Sequence, residues 1–401
     1  MRKTLSASVV ATLAILTILP GHMNAIAQSG ADSATGTDAD REDAAEMASA
    51  LGIDFATAVT YIDQQPDVWD LEASLRKGDA SFAGMFIDYV PEHQIVVLTN
   101  GAPEKTTEVV LQYASPDIVD AVTVRKVDYS ERSLEESIRQ IDKTVSDAVA
   151  FAADGDIRTG LVTLIAETAT DATVLEDALL EAGIQREAVD VRVSDQPFTQ
   201  SDFICSGGDG DVCGGEYLHH NGNPECTAGF TVNDGAGHEG PATAAHCDNL
   251  LQHEGVDLNF EGGHNEGEYD VQWHTSPGLV DRPKVKDDDG TPRDITAARA
   301  RVDQTTGTWV CSYGDVSTYS CGDLKSKVFQ PPDSCTSTTN PTATYMRVDN
   351  PDPTFGDSGG PTYAGNTALG FIKGLACGWN GQYYYMAENY VGILGVSVSL
   401  A

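Results

Sequence analysis

Apolar and polar positions change their rhythm about halfway along the chain. Between residues 41 and 77 apolar side chains recur at three to four positions, which predicts helix, with the Gln65-Pro66 step expected to break it. Residues 86–98 alternate as a hairpin around Pro91-Glu92, and residues 107–113 and 121–127 read as further strands. Ser133 and Glu136 have the spacing of a capping box, and Leu134, Ile138, Ile141, Val145 and Val149 follow on one helical face. A strand at 161–165, a helix at 171–182 stopped by Gly183 and a strand at 189–193 complete an α+β unit. Beyond about residue 194 the pattern turns to short, glycine-punctuated alternating segments, which predicts an all-β domain of roughly 190 to 200 residues with helix only near its end.

The first residues follow neither rhythm. Arg2 and Lys3, an apolar run from Val9 to Leu19, Pro20 and the small-residue pattern Ala25-Ile26-Ala27 have the form of a secretory signal cleaved after Ala27. Residues 28 to about 40 are small, polar and acidic and read as a disordered leader. The expected organisation is a signal peptide at 1–27, an α+β region at 28–200 and a β domain at 201–401.

Composition sharpens this picture. The 401 residues are 41% hydrophobic, enough for buried cores, and carry 61 acidic against 24 basic side chains for a formal charge of -37. Such a balance argues against nucleic acid or anionic membrane as partner, because both are bound through clustered Lys and Arg. The eight cysteines all lie at or beyond Cys205. In an exported chain an even number implies disulfides, and no CxxC pair or zinc-type Cys/His spacing occurs, so neither metal nor cofactor is expected. The run Asp287-Asp288-Asp289-Gly290 lacks the alternating ligands of a calcium loop and reads as solvated.

The candidate chemistry lies in the back half. A serine hydroxyl attacks only when a base takes its proton and an acid orients that base. In chain order the β domain offers His246 in TAAHC, Asp270 in EYDVQW and Ser358 in GDSGGP, with Asp257 in VDLNF as a rival acid. Gly356 lets the backbone turn so that its N–H and that of Ser358 can converge on a developing oxyanion, an arrangement in which one donor is worth about a hundredfold to a thousandfold in rate.

With CTAGFTV before TAAHC, VCSYGDVSTYSCG, GDSGGP and GGEYL, the chain from about Cys205 to Ala401 resembles the chymotrypsin clan, and within it the bacterial α-lytic protease and streptogrisin group. The resemblance implies two antiparallel β-barrels with a cleft between them and a short final helix near residues 390–394. It implies His246 as general base, Asp270 as its orienter, Ser358 as nucleophile, and Gly356 with Ser358 as oxyanion donors. It further implies the disulfides Cys226–Cys247 and Cys311–Cys321. The connectivity of Cys205, Cys213, Cys335 and Cys377 is left open by the sequence, with Cys205–Cys213 and Cys335–Cys377 as the expectation.

Two features depart from that group. Where its members carry an Arg that neutralises the acid matching Asp357, this chain has Ser312, so Asp357 should need another cation or a chain-terminal amine. Asp352 lies six positions before Ser358; in trypsin-like enzymes that count marks a pocket floor for Arg or Lys, whereas in the bacterial group it falls on a cysteine outside the floor. Lys373 and Leu375, in GFIKGLACG, are expected to line the same specificity pocket. By resemblance, residues 28–200 are a pro-region that assists folding and inhibits until removed. The sequence thus points to a secreted serine endopeptidase made as a zymogen, monomeric after processing, with protein or peptide substrates and its own pro-region as partners. A silent relative that binds protein in the cleft and an esterase are the rival readings.

Overall fold

The computed structural model describes residues 38–145, 149–181, 189–194, 210–287, 292–332, 335–350, 353–354, 356–379 and 382–401. Helices α1 (Asp38–Leu51) and α2 (Phe55–Gly78) are separated at Gly52-Ile53-Asp54, where Asp54 Oδ1 accepts the Thr57 N–H at 3.0 Å as an N-cap. The break expected at Pro66 does not occur. Pro66 is exposed, and buried Ile62, Gln65, Val68, Trp69 and Glu72 continue the helical register on both sides of it, outweighing the lost hydrogen bond.

Strands β1 (Phe82–Asp88) and β2 (Gln94–Thr99) form the expected hairpin. Helix α3 (Pro103–Tyr113) replaces the strand expected at 107–113: Pro103 sits in its first turn, and the buried residues are Thr106 and Val110, four apart rather than two. Strand β3 (Val122–Lys126) pairs in parallel with β2. Helix α4 (Glu131–Val145) starts earlier than expected. Its first turn is closed by Ser130 and Ser133, which exchange hydrogen bonds at 2.7 and 3.1 Å, while Glu136 pairs with exposed Arg132. Leu134, Ile138, Ile141 and Val145 are buried as one face. Strands β4 (Phe151–Asp156) and β5 (Leu161–Ala166), helix α5 (Ala169–Glu181) and strand β6 (Val189–Val193) follow.

In the back half, strands Trp309–Gly314, Pro361–Ala364, Thr367–Leu375, Tyr383–Ala387, Tyr345–Asp349 and Thr318–Gln330 are hydrogen-bonded in that order, and the last pairs with the first. They therefore close into a six-stranded antiparallel barrel. The other expected barrel differs: its strands form three separate ladders, one of which pairs Val280–Lys286 in parallel with Asp211–Gly214. The largest of these ladders runs Asn259–Glu266, Tyr269–Thr275, Glu239–Thr243, Thr231–Asn233, Ser397–Val398. The final helix is the tighter 3-10 kind, Glu388–Leu394.

The front half is joined to this barrel by strand pairing and by charge. Strand β4 pairs with the end of Thr318–Gln330, at Asp154 with Phe329 and Ala153 with Gln330, so β4, β5 and β6 extend the barrel sheet. Every ion pair crossing between residues 38–194 and 210–401, among the described residues, has its acid in the front half and its base in the back half: Glu42–Arg293, Asp43–Arg293, Asp70–Arg299, Glu72–Lys327, Glu131–Lys327, Glu135–Arg301 and Asp154–Arg347. Several are buried. Lys327 Nζ sits 2.9 Å from both Glu72 and Glu131, and the Arg347 guanidinium holds both oxygens of Asp154 while lying over the ring of Trp379.

A buried pair stripped of one member leaves an uncompensated charge. Asp154→Ala should therefore lower the unfolding free energy of the full-length chain by about 3 to 5 kcal/mol in urea denaturation. Glu136→Ala, at an exposed pair, should change it by under about 1 kcal/mol.

Candidate active site

Register brings the first two residues together. Strand Glu239–Thr243 pairs with Tyr269–Thr275 so that Ala242 faces Trp273 and Thr243 faces Gln272. Continuing the antiparallel count past Thr243 carries the chain towards Asp270, and His246 arrives beside it in the loop that follows. The backbone N–H of His246 donates to Asp270 Oδ1 at 2.9 Å, and its ring Nδ1 lies 2.8 Å from Oδ2. Gln272 Nε2 reaches the carbonyls of Ala244 and Cys247 at 3.0 and 3.2 Å, and the Cys226–Cys247 disulfide ties the loop to strand Asn223–Thr227 of another sheet. Gln272 was not singled out in the sequence, although its place two residues after Asp270 in a strand gives it the same face.

Asp257, the rival acid, is exposed on a small hairpin and accepts from Gln252, away from His246.

The turn holding Ser358 lies against the same loop. Gly356 and Gly359 have φ of +100° and +87°, a region that favours glycine. A β-carbon on Gly359 would run into Thr243 Oγ1 and the amide of Ala244, two residues before His246. Thr227 fastens the turn: its N–H donates to the Ser358 carbonyl at 2.9 Å and its hydroxyl to the Gly356 carbonyl at 2.7 Å. Among the described residues, neither the N–H of Gly356 nor that of Ser358 donates to a protein acceptor, and no hydrogen bond joins Ser358 Oγ to the His246 ring.

Asp357 corrects one expectation. It is fully buried, and in place of a cation three backbone amides meet it: Val316 and Ser317 on Oδ1 at 2.9 and 3.1 Å, Thr354 on Oδ2 at 2.6 Å. Burial pushes its carboxyl above the usual range, and these amides partly offset that. Ser312, at the position where an Arg was expected, is buried and reaches the Ser320 carbonyl. No guanidinium is required when amides supply the positive ends of the dipoles.

Lys373 corrects another. Expected at the specificity pocket, it instead turns to the candidate pair: its buried ammonium lies 2.5 Å from Asp270 Oδ2 and 3.0 Å from His246 Nδ1. Burial alone would raise the Asp270 carboxyl, but the Lys373 charge and then the His246 ring overcome it and hold the group well below the usual carboxylate range. Leu375 is half-buried at the end of the same strand, opposite Tyr383, and Asp352 lies outside the described residues. Cys311–Cys321 and Cys335–Cys377 are bonded; the pairing expected for Cys213 involves Cys205, which lies outside the described residues. Asp287, read as part of a solvated run, is buried against Arg293, and residues 288–290 lie outside the described residues.

No family model and no curated protein matches the chain. Solved structures similar to it include Thermobifida fusca Protease A (23% identity, TM-score 0.41, covering 48% of this chain and 100% of that one). A Cellulomonas bogoriensis chymotrypsin (22%, 0.40, 48% and 100%) and a Nocardiopsis protease (19%, 0.41, 47% and 98%) are also similar.

The strand that carries Asp270 also carries a titratable liability. His274 is fully buried with neither ring nitrogen hydrogen-bonded among the described residues, and burial lowers its pKa to about 4. Between the ordinary unfolded value of about 6.5 and that folded value, the unfolded chain binds the extra proton. Stability should therefore fall by up to about 3 kcal/mol as pH drops through this window, and the slope should vanish in His274→Leu; urea titrations at several pH values measure both. Asp270, held low, keeps its own contribution through this window and loses it only at more acid pH.

Proposed function

We propose that the chain is a secreted serine endopeptidase made as a zymogen. The observation that carries this reading is the buried Asp270–His246 pair set beside a turn that holds Ser358 between two positive-φ glycines. With its Nδ1–H donating to Asp270, the imidazole keeps a lone pair on Nε2 to take the Ser358 proton as the hydroxyl attacks a peptide carbonyl. The N–H groups of Gly356 and Ser358 receive the oxyanion of the tetrahedral intermediate. His246 then gives its proton to the departing amine, leaving an acyl-enzyme on Ser358 that water hydrolyses by the same path reversed. The approach of ring to hydroxyl tightens when substrate fills the cleft, as hydrogen bonds of resting sites commonly do.

Residues 28–200 act in this reading as a pro-region that assists folding of the back half and restrains it until cut away. Strand β4 extending the barrel sheet, and the acid-to-base polarity of the junction, support that role. A templating segment suits a β topology whose pairings are far apart in sequence. The form of residues 1–27 and the disulfides among the back-half cysteines support export.

Ser358→Ala should abolish peptide hydrolysis and covalent labelling by an organophosphate, and should accumulate as the full-length chain if maturation is autocatalytic. Asp270→Asn should keep Ser358 in place and lose about four orders of magnitude in kcat. Undiminished hydrolysis by the Ser358 variant overturns the assignment; turnover of esters with no cleavage of peptides redirects it to an esterase.

A further inference from the structure

Lys373 occupies an unusual position for a buried ammonium. It follows Ile372, whose N–H and carbonyl both bond to the Ser358 turn: Gly359 N–H to Ile372 O at 2.7 Å and Ile372 N–H to Gly360 O at 2.8 Å. The pairing of strand Thr367–Leu375 with Tyr383–Ala387 slips between Ile372 and Gly374, so Lys373 is the residue left over in the register. Such a bulge redirects one side chain out of the regular alternation. Here it aims the side chain at Asp270.

The three ammonium protons have three neighbours: Asp270 Oδ2 at 2.5 Å, His246 Nδ1 at 3.0 Å and Ser337 Oγ at 3.3 Å. An ammonium has no lone pair, so it cannot accept from a protonated Nδ1. In one arrangement Nδ1–H and Lys373 both donate to Oδ2, and Nε2 is bare. In the other Lys373 donates to Nδ1, and the ring proton sits on Nε2. The first gives Asp270 a second charge-assisted bond in addition to the His246 amide on Oδ1, and is favoured on that ground.

The remaining groups around the pair do not compete. The phenols of Tyr345 and Tyr384, on the adjoining barrel strands, are kept neutral by burial, and Met386 Sδ accepts the Asp270 N–H at 3.3 Å. Cys226 and Cys247 are bonded to each other, and Asp357 is engaged by three amides.

We propose that Lys373 is a positioning residue for His246: its ammonium braces Asp270 Oδ2 and sets a fixed positive charge beside the imidazole. The ring is thereby held with its proton on Nδ1 and with Nε2 bare. This rests on the hydrolase reading above and adds to it a residue that positions the base. A positive charge 3.0 Å from Nδ1 disfavours a second one on the ring.

The test compares pH profiles of kcat/KM on one peptide substrate for the mature wild type, Lys373→Met and Lys373→Arg. Lys373→Met should move the acid limb up by about one to two pH units, and Lys373→Arg, which keeps the charge, should restore it. An acid limb in Lys373→Met within about 0.3 pH unit of wild type overturns the proposal. A second readout needs no turnover: nitrogen-15 NMR of histidine in full-length Ser358→Ala chains with Lys or Met at position 373. The His246 ring should be the Nδ1–H tautomer with Lys373 present and should titrate at higher pH with Met; an Nε2–H tautomer, or equal midpoints, overturns the proposal. Should Lys373→Met fail to fold, the tautomer in the lysine-bearing chain decides alone. If the mature protein neither cleaves peptides nor reacts with an organophosphate, the hydrolase reading fails while the NMR comparison still judges Lys373.

Discussion

A carboxylate that leaves water must be met by hydrogen-bond donors or cations, and most of this structure can be understood from how four such groups are met. Asp357 is met by three amides of its own surroundings. Asp270 is met by an amide, an imidazole and an ammonium. Asp43 takes Arg293, the Tyr319 hydroxyl and the Gly365 N–H, and Glu72 takes Lys327, Arg76 and the Thr305 hydroxyl. The first two organise the site. The last two fasten the helices of the front half to the barrel.

The two tasks meet in the same strands. Thr367–Leu375 supports the Ser358 turn through Ile372 and reaches Asp270 through Lys373. Thr318–Gln330 closes the barrel at one side, receives β4 at its end and supplies Lys327 to Glu72 and Glu131. Thr227 and Gln272 act at the next level, holding the Ser358 turn and the His246 loop by backbone carbonyls and amides rather than by touching reacting atoms. Geometry at the site is thus set by polar groups whose partners are far away in sequence.

That explains what could be read beforehand. The hairpin at Pro91-Glu92, the strands near 121–127, 161–165 and 189–193, and the apolar face of α4 follow from local periodicity, and they were legible. The helix at Pro103–Tyr113 was mistaken because its β-branched and aromatic residues suit a strand, and only burial of Thr106 and Val110 reveals the true period. Pro66 was overrated because propensity yields to a buried face that continues past it. At the site, short motifs sufficed to select His246, Asp270 and Ser358. The Val316 and Ser317 amides on Asp357 and the destination of Lys373 were not legible, since both depend on turns and a strand bulge that bring together segments tens of residues apart.

The junction between β4 and the barrel has one more implication. Asp154 and Ala153 pair along the main chain with Phe329 and Gln330 at the end of Thr318–Gln330. A molecule from which the front half had departed would present that end as an unsatisfied sheet margin, with Lys327 and Arg347 stripped of their carboxylates. The junction thus keeps from solvent, in the intact chain, a strand end and two basic side chains that separation of the halves would bare.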